Sequence, residues 1–102
     1  MTAAVKSFLV PSVRDLRPVP PGAIEPRRID DEWVGLAFGC PCGCGLESWL
    51  NFTDPDHPQL GGWGPRPAKD ADMTRLTLTP SILQTFPCRW HGFLTDGEFR
   101  QV

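Results

Sequence analysis

Short stretches of alternating apolar and polar residues, separated by proline and glycine, are the main pattern in this chain. From Trp33 to Phe38 the side chains at 34, 36 and 38 share one face, and a second alternation runs from Leu46 to Phe52. Alternation with a period of two predicts half-buried β-strands. The two stretches flank residues 40–44, so these residues are expected at the turn of a hairpin.

The segment Phe93–Arg100 carries the strongest local signal for a hairpin. Its centre is Asp96-Gly97, a dipeptide that favours a two-residue turn between antiparallel strands. The pattern predicts that Thr95 faces Glu98 and that Leu94 faces Phe99, with the second pair on the core side.

Secondary structure can also be predicted for three further segments. Ala23–Glu25 is expected to form a short edge strand, and Arg75–Thr79 alternates as a strand. Residues 80–82 are expected to end that strand, and a helical turn follows through residues 83–85. The twenty residues Thr53–Asp72 are rich in proline and glycine and form a long loop, which Trp63 is expected to attach to the core.

Composition limits the size and class of the fold. The chain has 102 residues with 12 Pro and 10 Gly, which makes long helices improbable, and its 40% apolar content is too high for a disordered chain. We predict an N-terminal arm over residues 1–18 and one domain over residues 19–102. The predicted fold is mainly β, with a small α+β fold as the variant: a compact antiparallel sheet of short hairpins and long loops.

Net charge and hydropathy exclude two classes of partner. The formal net charge of −2 lacks the basic excess typical of proteins that bind nucleic acid, so a nucleic-acid partner is not expected. No run approaches the roughly 18–20 apolar residues of a membrane span, and the apolar run Phe8-Leu9-Val10 is too short for a signal peptide, so neither is expected. We therefore expect a cytoplasmic protein with a protein partner.

Five of the six cysteine and histidine residues fall into two clusters. Cys40, Cys42 and Cys44 lie within five residues, and Cys88 and His91 form a Cys-x-x-His pair. In a reducing compartment such clusters indicate metal ligation rather than a disulfide framework. Structural zinc takes four ligands, often two from each of two separated turns. The sequence therefore predicts a zinc site that staples the antiparallel sheet.

Five candidate ligands for four places leave one residue over. The interpretation we favour has Cys88 and His91 both binding, with two thiols of the first cluster completing the set. The alternative uses all four cysteines and leaves His91 outside the ligand shell. A third hypothesis has no metal, and the cysteines are then buried or form a disulfide.

The order of motifs resembles a small, uncharacterised family of bacterial and phage domains. The matching blocks are Phe-x-Cys-Pro-Cys-Gly-Cys-Gly at residues 38–45, Trp63 in a glycine-rich loop, Thr-Leu-x-Pro-Ser-Ile at residues 77–82, and Cys-x-x-His at residues 88–91. The resemblance covers about residues 19–102. It implies metal binding, and some relatives are encoded beside bacterial ubiquitin-like conjugation genes, but it implies no established activity.

Three classes of function remain open. A closed four-ligand zinc site is inert, so a structural-zinc domain acting as a protein-interaction or accessory module is the first hypothesis, with no catalytic residue assigned. A zinc- or cysteine-dependent hydrolase is the second, in which His57, Asp54 or Asp56 could serve a zinc-bound water. A thiol-based redox sensor, in which a spare cysteine is oxidised, is the third.

Overall fold

Eight short strands form two four-stranded sheets. The structure, a computed structural model, describes residues 4–84 and 89–102. Within these residues the strands are β1 (Ala4–Lys6), β2 (Phe8–Leu9), β3 (Ala23–Ile29), β4 (Glu32–Gly39), β5 (Glu47–Asn51), β6 (Leu78–Leu83), β7 (His91–Thr95) and β8 (Glu98–Gln101), and two 3₁₀ turns cover Pro58–Leu60 and Met73–Arg75. The predicted mainly β fold is confirmed.

The first sheet has the strand order β1-β8-β7-β6 and is antiparallel throughout. The second has the order β2-β3-β4-β5, in which only β2 and β3 run parallel. The sheets pack face to face, since side chains of both enter one apolar cluster. The rings of Phe38 on β4 and Phe99 on β8 stack across this layer, with centroids 5.3 Å apart.

The hairpin between β7 and β8 is confirmed. Thr95 pairs with Glu98 and Leu94 with Phe99, and the Leu94 and Phe99 side chains are buried. Both turn residues have positive φ, 48° at Asp96 and 78° at Gly97. This backbone matches the right-handed twist of the two strands, which is why Asp-Gly predicts the turn well.

The described part of the predicted arm contributes strands to both sheets. β1 pairs with β8 and β2 pairs with β3, and Ser7 between them is buried. Its backbone N–H and hydroxyl both donate to the Gly97 carbonyl, at 2.8 and 2.6 Å. Further on, Val13 is fully buried and packs with Ala37 on the other face of β4. The central strand β4 is therefore covered on both faces.

The edge-strand prediction for Ala23–Glu25 is wrong. β3 extends to Ile29 and lies between β2 and β4. β2 pairs only with the first two residues of β3, so Pro26 lies where the far side of β3 has no strand partner among the described residues. A proline, which lacks an N–H, is tolerated at such a position.

The strand prediction around residue 80 is also wrong in its bounds. A 3₁₀ turn covers Met73–Arg75, because the Asp72 carboxylate accepts from the Thr74 N–H at 2.9 Å and from its hydroxyl at 2.6 Å. β6 then runs from Leu78 through Pro80 to Leu83, so residues 80–82 continue the strand. Pro80 fits because β6 is an edge strand with an irregular register at this point. Of the helical turn expected at residues 83–85, Leu83 belongs to β6 and Thr85 lies outside the described residues.

Two glycines with similar backbone angles provide a stability test. Gly97 and Gly61 have φ of 78° and 72°. A Cβ at Gly97 would overlap the Thr74 carbonyl oxygen, whereas a Cβ at Gly61 meets nothing within 4 Å. We predict that Gly61→Ala lowers the free energy of unfolding by about 1–2 kcal/mol. Gly97→Ala should cost about 1–3 kcal/mol more, from the added steric conflict. Urea unfolding measures both, and equal losses would contradict the predicted close contact.

Candidate functional site

A serine and a histidine lie in contact on neighbouring strands. His91 opens β7, and Ser81 lies in β6, which pairs antiparallel with β7 through Ile82 with Gly92 and Leu83 with His91. The distance from His91 Nε2 to Ser81 Oγ is 2.9 Å. With the imidazole proton on Nδ1, Nε2 accepts a hydrogen bond from the serine hydroxyl. This is the geometry of a nucleophile beside its base.

Ser81 lies diagonally across from His91 in the pairing of β6 with β7. Leu83 is opposite His91, and Ser81 is two residues before Leu83, so both share the face that carries the imidazole. Between the pairs Leu78 with Leu94 and Ile82 with Gly92, β6 has three intervening residues and β7 has one, so the strand is irregular next to Ser81. The Ser81 side chain therefore lies on the same face of the sheet as His91.

Packing beneath β7 holds the histidine backbone. Trp90, the residue before His91, is buried, and its ring meets Phe99 edge-on with centroids 6.1 Å apart. The residue after it, Gly92, is also tightly enclosed, because a Cβ there would overlap the Arg100 carbonyl oxygen and approach the Trp90 ring. The two neighbours of His91 are thus fixed against the core, while its own side chain is exposed.

Exposed apolar side chains border the histidine. Leu83 lies directly opposite His91 in the antiparallel register, and Phe93 is two residues further along β7, so both share its face. On the β8 side, the Val102 N–H donates to the His91 carbonyl at 2.9 Å. Leu83, Phe93 and Val102 are all exposed. The serine and histidine therefore lie on the open face of the sheet, within an apolar border.

Three thiols come together in the turn between β4 and β5, as the hairpin prediction requires. The Cys40 N–H donates to the Leu46 carbonyl at 2.9 Å, and the Gly43 N–H returns to the Cys40 carbonyl at 3.0 Å. Gly43 has φ of 87°, a left-handed conformation that glycine adopts without strain. The resulting curl brings the Sγ atoms of Cys40, Cys42 and Cys44 within 4.8 Å of one another, in the cysteine cluster.

The cysteine cluster has the spacing of a metal site. The Sγ atoms of Cys40 and Cys42 are 3.3 Å apart, too far for an S–S bond of about 2.05 Å. Tetrahedral zinc with Zn–S of about 2.3 Å needs sulfurs about 3.8 Å apart. Cys40 is buried and the other two are exposed. These three residues could hold a metal ion.

The other two predicted ligands have different outcomes. His91 does not belong to the group of three thiols, and its Nε2 is the atom that contacts Ser81. Cys88 lies outside the described residues. On either side of residues 85–88, the Gln84 N–H donates to the Trp90 carbonyl at 2.7 Å, and the Gln84 side chain donates to the Ser48 hydroxyl. Ser48 follows the cysteine cluster by four residues.

The long loop contains a separate charged group. His57 Nδ1 lies 3.0 Å from an Asp54 carboxylate oxygen, and Arg66 pairs with Asp54 at 3.6 Å and with Glu32 at 2.7 Å. The Asp56 N–H donates to Asp54 at 2.9 Å. This backbone hydrogen bond, followed by the contact with His57, lowers the pKa of Asp54 below its usual 3.8. The group lies apart from the cysteine cluster, to which none of these residues belongs.

Trp63 attaches the loop, as the sequence predicts. It packs against the apolar core, and its indole N–H donates to the Ser81 carbonyl at 3.2 Å. Ser81 is a candidate site residue that the sequence analysis missed, because a lone serine after a proline in a strand has no local signature. The only available signal is its place in the Thr-Leu-x-Pro-Ser-Ile block, together with the histidine of the next block.

The fold and site define a small two-sheet β protein that carries a serine–histidine pair and a cluster of three cysteines. The family model for BubE, described as a bacterial ubiquitination-like system serine protease, matches residues 14–102. The chain belongs to this family. Comparisons with curated proteins and with solved structures gave no significant match.

The family match confirms the link to bacterial ubiquitin-like systems that the resemblance implied. The occurrence in phage, the cytoplasmic location and the protein partner stay predictions. In the part of the chain that the structure describes, no helix has the length and apolar character needed to cross a membrane.

The lowered pKa of Asp54 predicts a pH dependence of stability. A carboxyl group with a folded pKa below its unfolded value stabilises the fold above the unfolded pKa, and this contribution disappears as pH falls through the folded pKa. The stability difference between wild type and Asp54→Asn should therefore be largest near pH 7 and shrink below about pH 4. Urea unfolding across this range measures it.

Asp56→Asn is the control for this experiment, since no hydrogen bond or ion pair of the Asp56 carboxylate occurs within the described residues. A stability difference between wild type and Asp54→Asn that stays constant from pH 7 to pH 3 would contradict the prediction. Proton competition at the cysteines affects all variants equally and cancels in the difference.

Proposed function

We propose that this protein is a serine hydrolase that cleaves amide bonds in protein substrates of a bacterial ubiquitination-like system. Ser81 is the nucleophile and His91 is the general base. The observation that carries the proposal is the 2.9 Å contact between Ser81 Oγ and His91 Nε2. The family description as a serine protease supports the same reaction class.

The reaction follows from this pair. Ser81 Oγ attacks the carbonyl carbon of the scissile amide, and its proton passes to His91 Nε2. The C–N bond then breaks, and the leaving amine takes that proton from His91. Water attacks the resulting ester with the same imidazole as base, which releases the acid and restores the serine hydroxyl. A base correctly placed contributes about 10²–10⁴-fold to such steps.

The imidazole is oriented by packing in this proposal. Serine hydrolases often use a carboxylate to orient the base, but no carboxylate contacts the His91 ring among residues 4–84 and 89–102. Buried Trp90 and enclosed Gly92 hold the backbone on either side of His91. A serine–histidine dyad on a rigid strand is therefore the arrangement we assign.

We further propose that the cysteine cluster binds a structural zinc ion. Cys40, Cys42 and Cys44 are three ligands, and Cys88 is the fourth. The engagement of His91 Nε2 with Ser81 supports a set without His91. Cys88 is the remaining cysteine of the chain, and a thiolate is a common ligand of structural zinc.

Zinc bound by four thiolates keeps no open position for water, so it would stabilise the fold and take no part in hydrolysis. A structural zinc contributes about 10–16 kcal/mol in small peptides. The same ligand set argues against a cysteine nucleophile, since the imidazole that such a thiol would need lies against Ser81. If the protein shows no hydrolase activity, a non-catalytic interaction module becomes the favoured function.

The catalytic assignment predicts covalent labelling at one serine. A fluorophosphonate probe should label Ser81 of the wild-type protein, with fluoride as the leaving group, and Ser81→Ala should abolish labelling. His91→Gln should slow labelling about 10²–10⁴-fold. Ser12→Ala is the control, because Ser12 is half-buried like Ser81 but lies far along the chain. Mass spectrometry locates the adduct, and wild-type protein that stays unlabelled at Ser81 would refute the assignment.

The metal assignment predicts about one zinc ion per chain after purification without added metal. Cys42→Ser and Cys88→Ser should lose it, and His91→Gln should keep it. Chelation of the wild-type ion should lower the melting temperature, since binding free energy is folding free energy. Elemental analysis measures the stoichiometry. Loss of zinc in His91→Gln with retention in Cys88→Ser would reverse the choice of the fourth ligand.

A further inference from the structure

We propose that Trp63 is a positioning residue for the Ser81 nucleophile. Its indole N–H donates to the Ser81 backbone carbonyl at 3.2 Å, so it holds the peptide that carries the reactive hydroxyl. This inference rests on the proposed function, because positioning matters only if Ser81 reacts. Trp63 itself touches no reacting atom.

The outer edge of β6 is the side on which the Ser81 carbonyl finds its partner. The Gln84 N–H donates to the Trp90 carbonyl, so Gln84 and Ile82 face β7 in the antiparallel alternation, and the backbone groups of Ser81 face the other way. The Trp63 indole N–H meets the Ser81 carbonyl on this outer side. It therefore gives the Ser81 peptide a hydrogen bond that β7 cannot give it.

The backbone around Trp63 is itself fixed to both sheets. The Trp63 N–H donates to the Asn51 carbonyl at 2.8 Å, and its carbonyl accepts from the Thr53 N–H at 3.0 Å. Gly64 and Thr79 exchange two hydrogen bonds of 2.9 and 2.8 Å, two residues before Ser81. The segment 63–64 thus acts as a short strand along the outer edge of β6. It ties the nucleophile to the end of β5.

The expected consequence is a slower reaction at an intact site. A small displacement of a reacting group costs rate without removing any catalytic atom. Loss of the indole donor should leave the Ser81 peptide free to shift relative to His91 Nε2. We expect the rate constant for fluorophosphonate labelling to fall about 10-fold.

Trp33 offers a matched control. Trp33 and Trp63 are both partly buried and pack against the same core cluster. The indole N–H of Trp33 is buried and has no hydrogen-bond partner among the described residues, whereas that of Trp63 donates to Ser81. The Trp33 ring also lies under the Arg28 guanidinium, which is 3.8 Å from the ring centroid. Trp33→Phe and Trp63→Phe therefore remove the same atoms, and only the second removes a hydrogen bond to β6, the strand that carries the nucleophile.

The experiment measures the rate constant and the final stoichiometry of Ser81 labelling in wild type, Trp63→Phe and Trp33→Phe. A positioning role predicts slow but complete labelling of Trp63→Phe, with Trp33→Phe at the wild-type rate. A merely destabilised variant would instead label a smaller fraction of the chains at an unchanged rate. If Trp63→Phe fails to fold, 3-benzothienylalanine at position 63 keeps the ring shape and removes only the N–H.

Two results would overturn the inference while the proposed function stands. One is a wild-type rate in Trp63→Phe, and the other is an equal loss of rate in both phenylalanine variants. If the wild-type protein is not labelled at Ser81, the proposed function fails, and the positioning role fails with it. Labelling of wild type but not of Ser81→Ala separates these cases.

Discussion

The ring of Phe99 joins the two sheets and lies beneath both candidate sites. It stacks on Phe38, two residues before the first cysteine of the cluster, and meets Trp90, the residue before His91, edge-on. Aromatic pairs of this kind contribute about 0.5–1.5 kcal/mol beyond their buried area. Phe99 is fully buried. This ring therefore contributes directly to the relative position of the cysteine turn and the histidine strand, within the apolar cluster that both sheets share.

The apolar core of a chain of this size provides only a small net free energy of folding. Domains near 100 residues keep a margin of about 5–15 kcal/mol after conformational entropy is subtracted. Within the described residues the fold depends on many close approaches, such as Gly97 against the Thr74 carbonyl and Gly92 against the Arg100 carbonyl. A metal ion at the cysteine cluster would add support where β4 and β5 leave the core. The candidate pair of Ser81 and His91 lies on two strands, β6 and β7, that contribute buried residues to this core.

Local signals in the sequence predict local features well. The Asp96-Gly97 turn and its register follow from backbone preferences of two residues, and the curl at the cysteines follows from Gly43, which lies between Cys42 and Cys44. β6 was predicted with the wrong bounds, because a proline ends most strands but is tolerated in an irregular edge strand. Whether a strand will lie at an edge depends on the whole sheet. No local pattern contains that information.

The contact between Ser81 and His91 also depends on how strands pair, and not on a local sequence pattern. Nine residues separate them in the chain, and the antiparallel pairing of β6 with β7 makes them diagonal neighbours on one face. The Cys-x-x-His spacing pointed instead to a metal pair, since nothing in the sequence places Ser81 near His91. The predicted boundary between an arm and a domain at residue 18 likewise involves tertiary pairing. The described residues before this boundary form β1 and β2, which pair with β8 and β3.

The chemistry of imidazole makes the two roles of His91 mutually exclusive. A neutral imidazole has one lone pair on one nitrogen and a proton on the other. Binding zinc through Nδ1 would place the proton on Nε2, which could then donate to Ser81 but not accept its proton. Binding through Nε2 would occupy the atom that lies 2.9 Å from the serine oxygen. A base at position 91 therefore requires that the metal take its fourth ligand elsewhere, and Cys88 is the remaining cysteine of the chain.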